Sequence, residues 1–210
     1  MSTPIPTTGR TRENVYTGAP DVSLSGGFWV GPAATDAADF PASAFEDTTT
    51  VTTRLLLESA GYITSDGVSK TESRSTEKIL DWNLDVIDIV ETDYGLQLSV
   101  TFAEAANAAV LKYLYGEDNV TVSAQGVYIR EGARVMDNHA IMFDIKGKGD
   151  AKGRGFAAET QVASVGDISY VKTGLITYSV TIDVLNDVTG AYMHTWYETE
   201  AAEPAEPVDP

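Results

Sequence analysis

Five acidic side chains within 13 residues form the densest group of chemically active residues in the sequence: Asp81, Asp85, Asp88, Glu91 and Asp93. A pair of carboxylates can supply the acid and the base of glycoside hydrolysis, but that chemistry requires a cleft, which nothing in the sequence indicates. A calcium loop would need a glycine at its sharp turn and a regular spacing of oxygen ligands, and the segment has neither. The pattern therefore favours an acidic face exposed to solvent.

A second candidate is the glycine-rich segment 146–155, which contains four of the 14 basic residues. Its glycines fit neither G-x-G-x-x-G nor the P-loop, and no helix follows that would offer its N-terminus to a phosphate. We predict instead a flexible β-hairpin tip whose positive charge suits contact with an acidic neighbour. The basic residues assigned to this contact loop are Lys146, Lys148, Lys152 and Arg154.

No catalytic or metal site is predicted in the chain. His139 and His194 fall in separate predicted strands without a partner pattern. The serines show neither a G-x-S-x-G elbow nor Ser/His/Asp spacing. The sequence has no cysteine, which excludes disulfides, thiolate zinc sites and cysteine nucleophiles. We expect a protein without catalytic residues, metal or cofactor, and not an enzyme.

Length and charge narrow the class of protein further. A chain of 210 residues with 43% hydrophobic residues predicts one domain with a real core. The 14 basic and 31 acidic residues give a net charge of −17, which disfavours tight binding to nucleic acid because such binding depends on Lys and Arg contacts to phosphate. The N-terminus lacks a signal peptide, and no apolar run approaches the ~20 residues of a membrane helix, so no membrane association is expected.

The residue types favour β structure. The chain contains 24 Thr, 20 Val and 11 Ile against 12 Leu, and branching at Cβ favours strands. We predict a mainly β fold, a sandwich or a barrel, with one short flanking α-helix over about 104–115. That segment is rich in alanine, Thr101 or Asn107 offers an N-terminal cap, and Gly116 marks its end.

The chain divides into three predicted regions. Residues 1–50 form an extended N-terminal arm with a short strand near Val22–Val30. Residues 51–198 form the β domain, with strands over 51–57, 80–92 and 96–102 and a long exposed loop over 64–78. Residues 199–210 form an acidic, proline-rich tail that we expect to be flexible.

Several loose motifs follow one another in a recognisable order. The runs GYITSDGV (61–68) and SRSTEKI (73–79) precede Trp82 and DVI (85–87), and a strand over 96–102 leads to VLKYLYG (110–116) and DNVT (118–121). The runs VGDISY (165–170), YSVT (178–181) and VTGAY (188–192) complete the series. Together they resemble the major tail tube proteins of long, non-contractile-tailed bacteriophages of the siphovirus type, over about residues 55–198.

The resemblance implies a structural virion protein. Six copies would form a ring, and rings would stack into the hollow tail tube that conducts double-stranded DNA into the host. The implied partners are copies of the chain itself, the tape measure protein and the tail tip or terminator proteins, with DNA passing through without specific binding. Assembly would take place in the host cytoplasm.

The resemblance also assigns roles to two sets of residues. The loop over 64–78, with the arms, would make the contact between rings, through Tyr62, Ser65, Asp66, Gly67, Arg74 and Lys78. Some of the five candidate acids Asp81, Asp85, Asp88, Glu91 and Asp93 would lie on or near the lumen, where they repel phosphates so that DNA slides without adhering. Three alternatives stay open: a tail terminator or connector ring protein, a cell-surface β-sandwich binding module, and a carbohydrate enzyme built on the acid cluster.

Overall fold

The computed structural model describes residues 16, 18–21, 25–133 and 135–199, and its fold is mainly β. The strands are β1 (Ala19–Pro20), β2 (Phe28–Pro32), β3 (Glu58–Ser59), β4 (Ile63–Leu80), β5 (Val86–Phe102), β6 (Val120–Ser123), β7 (Gly126–Ile129), β8 (His139–Lys146), β9 (Ala151–Val165), β10 (Tyr178–Val184) and β11 (His194–Thr199). Within these described residues the α-helices are α1 (Thr48–Arg54) and α2 (Ala108–Tyr115). Short 3-10 turns cover Ser25–Gly27, Ala37–Asp39 and Glu117–Asn119.

Nine of the strands form one antiparallel sheet, in the order β3-β2-β8-β9-β10-β5-β4, with β1 beside β8 and β11 beside β9. The long strand β9 pairs with β11 through its first half and with β10 through its second half. Strands β6 and β7 form a separate hairpin. Because β3 and β4 are the two ends of the strand order, the sheet is open in the described part of the chain. This confirms the predicted sandwich architecture and not the barrel.

The main core follows from strict alternation along β5. Leu96, Leu98, Val100 and Phe102 are buried, while the residues between them face outward. They join the inward side chains of β10, β2 and α2 in one cluster. The strand predicted over 96–102 is therefore confirmed as the inner part of β5.

A second, smaller core cluster lies on the other face of β2, β8 and β9. There Met142 and Phe156 are packed with Val51 and Leu55 of α1. The strand predicted over 51–57 is wrong, because the Asp47 carboxylate caps a helix by accepting from the Thr50 N–H at 2.8 Å. Val51 and Leu55 lie one turn apart on the buried side of that helix, and this packing outweighs the β propensity of its threonines.

The predicted helix is confirmed but begins later than expected, at Ala108. The Asn107 side chain caps it, because its Oδ1 accepts from the N–H groups of Ala109 (3.0 Å) and Val110 (3.3 Å). Gly116 follows the last turn with φ +84°, a conformation that favours glycine. Neither helix in the described residues has the length and apolar character needed to cross a membrane.

The short strand predicted near Val22–Val30 is confirmed as β2 (Phe28–Pro32), but it belongs to the central sheet and not to an extended arm. Phe28, Trp29 and Val30 of β2 are at most 5% exposed and lie inside the sheet, between β3 and β8. Residues 1–15 of the predicted arm, and 200–210 of the predicted tail, lie outside the described residues.

The predicted loop over 64–78 is also wrong, because almost all of it belongs to β4. Strand β4 pairs with β5 from Ile63 to Leu80, so the two strands form one long hairpin. The sequence did not indicate a strand because most residues of β4 are exposed on both faces, which removes the alternation that marks a half-buried strand.

Candidate assembly interface

The hairpin of β4 and β5 extends well beyond the rest of the sheet. At its base, β5 pairs with β10 from Leu96 to Phe102. Beyond Leu96, no described strand except β4 lies beside β5, and the outer edge of β4 has no described neighbour. We call residues 73–95 the distal hairpin. At ~3.3 Å per residue, the stretch from Ser73 to Leu80 projects roughly 25 Å beyond the sheet.

Large apolar side chains are exposed along the distal hairpin. They are Ile79, Leu80, Val86, Ile87, Ile89 and Val90, which are 44% to 66% exposed, together with Trp82 and Leu84 in the turn. Contiguous apolar patches on a soluble chain mark interaction sites, and a hairpin of two strands alone is only marginally stable in water. The distal hairpin therefore has the properties of a surface that becomes covered by another chain.

One carboxylate shapes the turn over 81–85. The Asp81 Oδ1 atom accepts from the N–H groups of Asn83 and Asp85, both at 2.8 Å. Leu84 has a φ of +70°, which closes the turn in a conformation that is uncommon for leucine. This fixed turn holds the Trp82 side chain in solvent, where it is 99% exposed.

All five predicted luminal acids belong to the distal hairpin and its turn, but they do not share one face. The five are Asp81, Asp85, Asp88, Glu91 and Asp93. The Arg74 guanidinium lies over the Tyr94 ring at 4.9 Å and contacts the Glu91 carboxylate at 3.3 Å, so these three side chains share one face. Asp93 precedes Tyr94 and points to the other face. A position on a lumen stays a prediction for all five.

The residues predicted for the contact between rings fall into two groups. Tyr62, Ser65, Asp66 and Gly67 lie at the base of the hairpin, and Arg74 and Lys78 lie on the distal hairpin. The pairing register shifts between Ile63 and Val68, and Gly67 has a φ of +68°, so the first group forms an irregular bulge at the start of β4. Only the second group lies beside the exposed apolar surface.

Three of the four residues of the predicted basic loop surround the turn between β8 and β9. Lys146, Lys148 and Lys152 are exposed there. The placement of Arg154 in that loop is wrong: its side chain is 1% exposed, because β9 begins at Ala151 and carries Arg154 into the interior.

The Arg154 guanidinium is fully hydrogen-bonded. Its Nε and Nη2 donate to the two Asp144 carboxylate oxygens at 2.7 and 2.9 Å, and Nη2 also donates to the Thr48 hydroxyl at 2.9 Å. Its Nη1 donates to the carbonyl oxygens of Glu46 (3.0 Å) and Ser43 (3.3 Å). This network ties the segment before α1 to the sheet, so the role of Arg154 is structural.

The histidines have structural surroundings. The His194 Nε2 lies 2.7 Å from the buried Asp187 Oδ2, and Asp187 Oδ1 accepts from the Thr189 hydroxyl and the Thr189 N–H. Burial raises the pKa of Asp187, but the hydrogen bonds from Thr189, His194 and the backbone lower it by more, so this pKa lies below its ordinary range. Among the described residues, no group of three His, Asp or Glu side chains is arranged to hold a metal ion.

A hydroxyl-rich surface covers the outer face of the sheet beside the hairpin base. Its concave part, about 230 Å³, is lined by Ser69, Ser99, Thr101, Ser164, Ser179 and Thr181 among others. The Thr101 and Ser179 hydroxyl oxygens lie 2.9 Å apart across the pair of β5 and β10. The polar alternation of residues 97–101 was visible in the sequence, but the strands that extend it across the sheet were not.

Comparison with known proteins agrees with this architecture. A protein family described as phage tail tube protein matches residues 21–208. The match includes every strand from β2 to β11 and therefore the whole hairpin. No curated protein matches the chain.

Proposed function

The chain belongs to the phage tail tube protein family, and on that premise we propose that it is the major tube subunit of a siphovirus-type tail. In this proposal, six copies form a ring, and stacked rings form the hollow tube that conducts double-stranded DNA into the host. The family is one of structural proteins of the virion, so the chain assembles with copies of itself in the tail.

The observation that carries the proposal is the uncovered distal hairpin. It combines exposed isoleucine, valine and tryptophan side chains with strand edges that no described residue pairs. Unpaired strand edges invite pairing with another chain, and exposed apolar side chains add a favourable free energy when that chain covers them. A subunit that polymerises uses both features, whereas an isolated binding module would carry them as an aggregation hazard.

The open sheet supports the proposed ring. The outer edge of β4 offers backbone N–H and C=O groups over a strand of 18 residues. Copies that extend one another's sheets around a closed rotation leave no free edge, and such a head-to-tail interface closes into a ring. The number six rests on the family resemblance, not on this geometry.

The charge of the chain suits a channel for DNA. A ring of six copies would carry 6 × −17 = −102 formal charges. Acidic side chains on the lumen, with Asp93 among the candidates, repel phosphates so that the duplex passes without specific binding. The hydroxyl-rich surface adds a polar area whose lining contains Asp66 and no basic residue, so it holds no phosphate by charge. The tape measure protein and the tail tip or terminator proteins complete the set of proposed partners.

Electron microscopy of the purified chain over a range of concentrations, alone and with tail tip proteins, tests the proposal. The decisive variant replaces residues 75–93 by Asn-Gly, which joins the paired residues Arg74 and Tyr94 by a two-residue turn. We expect hollow tubes from the unaltered chain and a soluble, folded monomer from the shortened one, with folding checked by circular dichroism.

A matched control changes the other exposed hairpin. Replacing Ala124-Gln125, the turn between β6 and β7, by Asn-Gly leaves the long hairpin intact and is expected to leave the tubes intact. Normal tubes from the shortened chain would contradict the role of the distal hairpin. Isolated rings that never stack would favour a terminator or connector, and a reconstructed lumen lined mainly by Lys and Arg would contradict the acidic channel.

A further inference from the structure

Trp82 is the most exposed of the large hydrophobic side chains in the described residues, and a shaped turn carries it. Its indole is 99% exposed at the end of the distal hairpin, on the turn that the Asp81 carboxylate shapes. A buried tryptophan removes about 150–250 Å² from water, and tryptophans in pockets are frequent hot spots of interfaces. The turn therefore presents an anchor that has no pocket within its own fold.

A cavity of about 250 Å³ opens near the base of the same hairpin. We call it the hairpin-base cavity; its apolar wall includes Ile63, Val68, Phe143, Ile145, Met193 and Tyr197. A cavity of about 150 Å³ already accepts benzene, so this volume is sufficient for an indole. Lys70 stands at its rim, and its ion pair with Glu72 (3.3 Å) is half exposed to solvent. The only other charged groups in the lining, Asp144 and Arg154, pair with each other.

Charge distinguishes this cavity from a larger one. The α2 groove, about 500 Å³, also has apolar walls, but Glu58, Glu117 and Asp137 line it against one lysine, Lys112. The turn that carries Trp82 is itself acidic, since residues 79–90 contain three Asp and no basic residue. Like charges across an interface oppose association.

The hairpin-base cavity has the complementary charge. Lys70 stands at its rim, and the turn over 146–152, which continues from its Ile145 wall, has three lysines and one aspartate; with Asp21, whose carboxylate lies 3.9 Å from the Lys152 Nζ, the net charge is 3 − 2 = +1. The acidic turn therefore fits this cavity and not the α2 groove.

We propose that Trp82 of one copy inserts into the hairpin-base cavity of a copy in the next ring, with Asp85 facing Lys70 and the lysines of the β8–β9 turn. The proposal rests on the proposed function and names the partner surface of the distal hairpin. Each copy then offers an anchor at one end of its hairpin and a receptor at the other, which is a head-to-tail contact that extends without limit. Leu80 lies ten positions after Lys70, so at ~3.3 Å per residue the strand between them spans roughly 33 Å. With the turn added, the distance from the cavity of one copy to its own Trp82, and therefore the ring spacing, is at most roughly 40 Å.

Crosslinking tests the pairing directly, because the chain has no cysteine of its own. Tubes are assembled from a mixture of two single variants, Asn83→Cys in the turn and Thr195→Cys in the lining of the hairpin-base cavity, and treated with a short bismaleimide. We expect crosslinked dimers between these two variants. The matched control pairs Asn83→Cys with Lys112→Cys at the rim of the α2 groove, and should give none. Crosslinks to residue 112, or to neither residue 195 nor residue 112, overturn the proposal, as does a ring spacing well above 40 Å in the tube images.

Two substitutions supply a second measurement. Trp82→Ala should raise the critical concentration for tube formation at least ~10-fold, whereas Tyr128→Ala, which removes another exposed aromatic ring on β7, should not change it. Asp85→Lys and Lys148→Glu should each weaken assembly, and the double variant should recover most of the loss. If the unaltered chain forms tubes and Trp82→Ala assembles at the same critical concentration, this inference is refuted and the proposed function is not. No tubes from the unaltered chain, with or without tail tip proteins, would refute the proposed function together with it.

Discussion

Replacing Arg154 by methionine is expected to lower the free energy of unfolding by about 3–5 kcal/mol. The Thr48 hydroxyl also donates to the Asp144 Oδ2 at 3.0 Å, and the substitution leaves the buried carboxylate with this one side-chain donor among the described residues. It also removes the donors to the Ser43 and Glu46 carbonyl oxygens. An uncompensated buried charge accounts for most of the loss, and each lost hydrogen bond adds to it.

Urea unfolding followed by circular dichroism, on the monomer below its critical concentration, measures this loss. For a domain of this size, a loss of about 3–5 kcal/mol corresponds to a decrease in Tm of roughly 6–20 °C. The control is Arg74→Met, which breaks an ion pair whose side chains are 59% and 46% exposed and should cost at most about 1 kcal/mol. The double variant Arg154→Met with Asp144→Leu should be more stable than Arg154→Met alone, since it removes the stranded charge. Equal losses for Arg154→Met and Arg74→Met would refute the reasoning.

Three further outcomes are expected. Asn107→Ala removes the cap of α2 and should cost about 1–2 kcal/mol in thermal or urea unfolding; an unchanged midpoint would mean that the cap is not needed. Asp187→Asn should lower the free energy of unfolding at pH 7. The difference from the unaltered chain should shrink as the pH falls below 3.8, because a carboxyl whose folded pKa is lowered contributes stability that is lost in that range. A difference that stays constant down to pH 2 would contradict this. Gly26→Ala and Gly190→Ala change glycines with nearly equal φ, +82° and +83°. Only at Gly26 does the new methyl group collide with a backbone carbonyl, that of Gly61. The loss of stability for Gly26→Ala should therefore exceed the ~1–2 kcal/mol of conformational strain expected for Gly190→Ala.

The parts of the fold that the sequence predicted well have local causes. The inner half of β5 alternates strictly because one face meets the core at Leu96 and Leu98. Helix α2 has its own cap at Asn107 and its own stop at Gly116. Signals of this kind lie within a few residues of the element that they specify, so they can be recognised without knowledge of the rest of the chain.

The errors concern elements whose structure depends on distant residues. β4 is polar on both faces, so its pairing with β5 left no pattern to detect. Ile87 and Ile89 have the side chains typical of a buried strand, yet they are exposed in the single chain, so their residue types did not indicate where they lie. Arg154 looked like part of a basic loop because its partner Asp144 lies across the strand pair of β8 and β9, which only the register reveals.

The orientation of β5 also determines how the domain bears a mechanical load. If the hairpin links one ring to the next, tension along the tail pulls β5 parallel to its own length. The hydrogen bonds of an antiparallel pair run perpendicular to the strands, so the seven residue pairs between β5 and β10, from Tyr178–Phe102 to Val184–Leu96, are loaded in shear and must break together rather than one after another. The pair of β5 and β10 would therefore resist tension along the strands far better than a force that separates the strands from one end. A bent tail would be weakest where bending pulls the hairpin sideways away from β10.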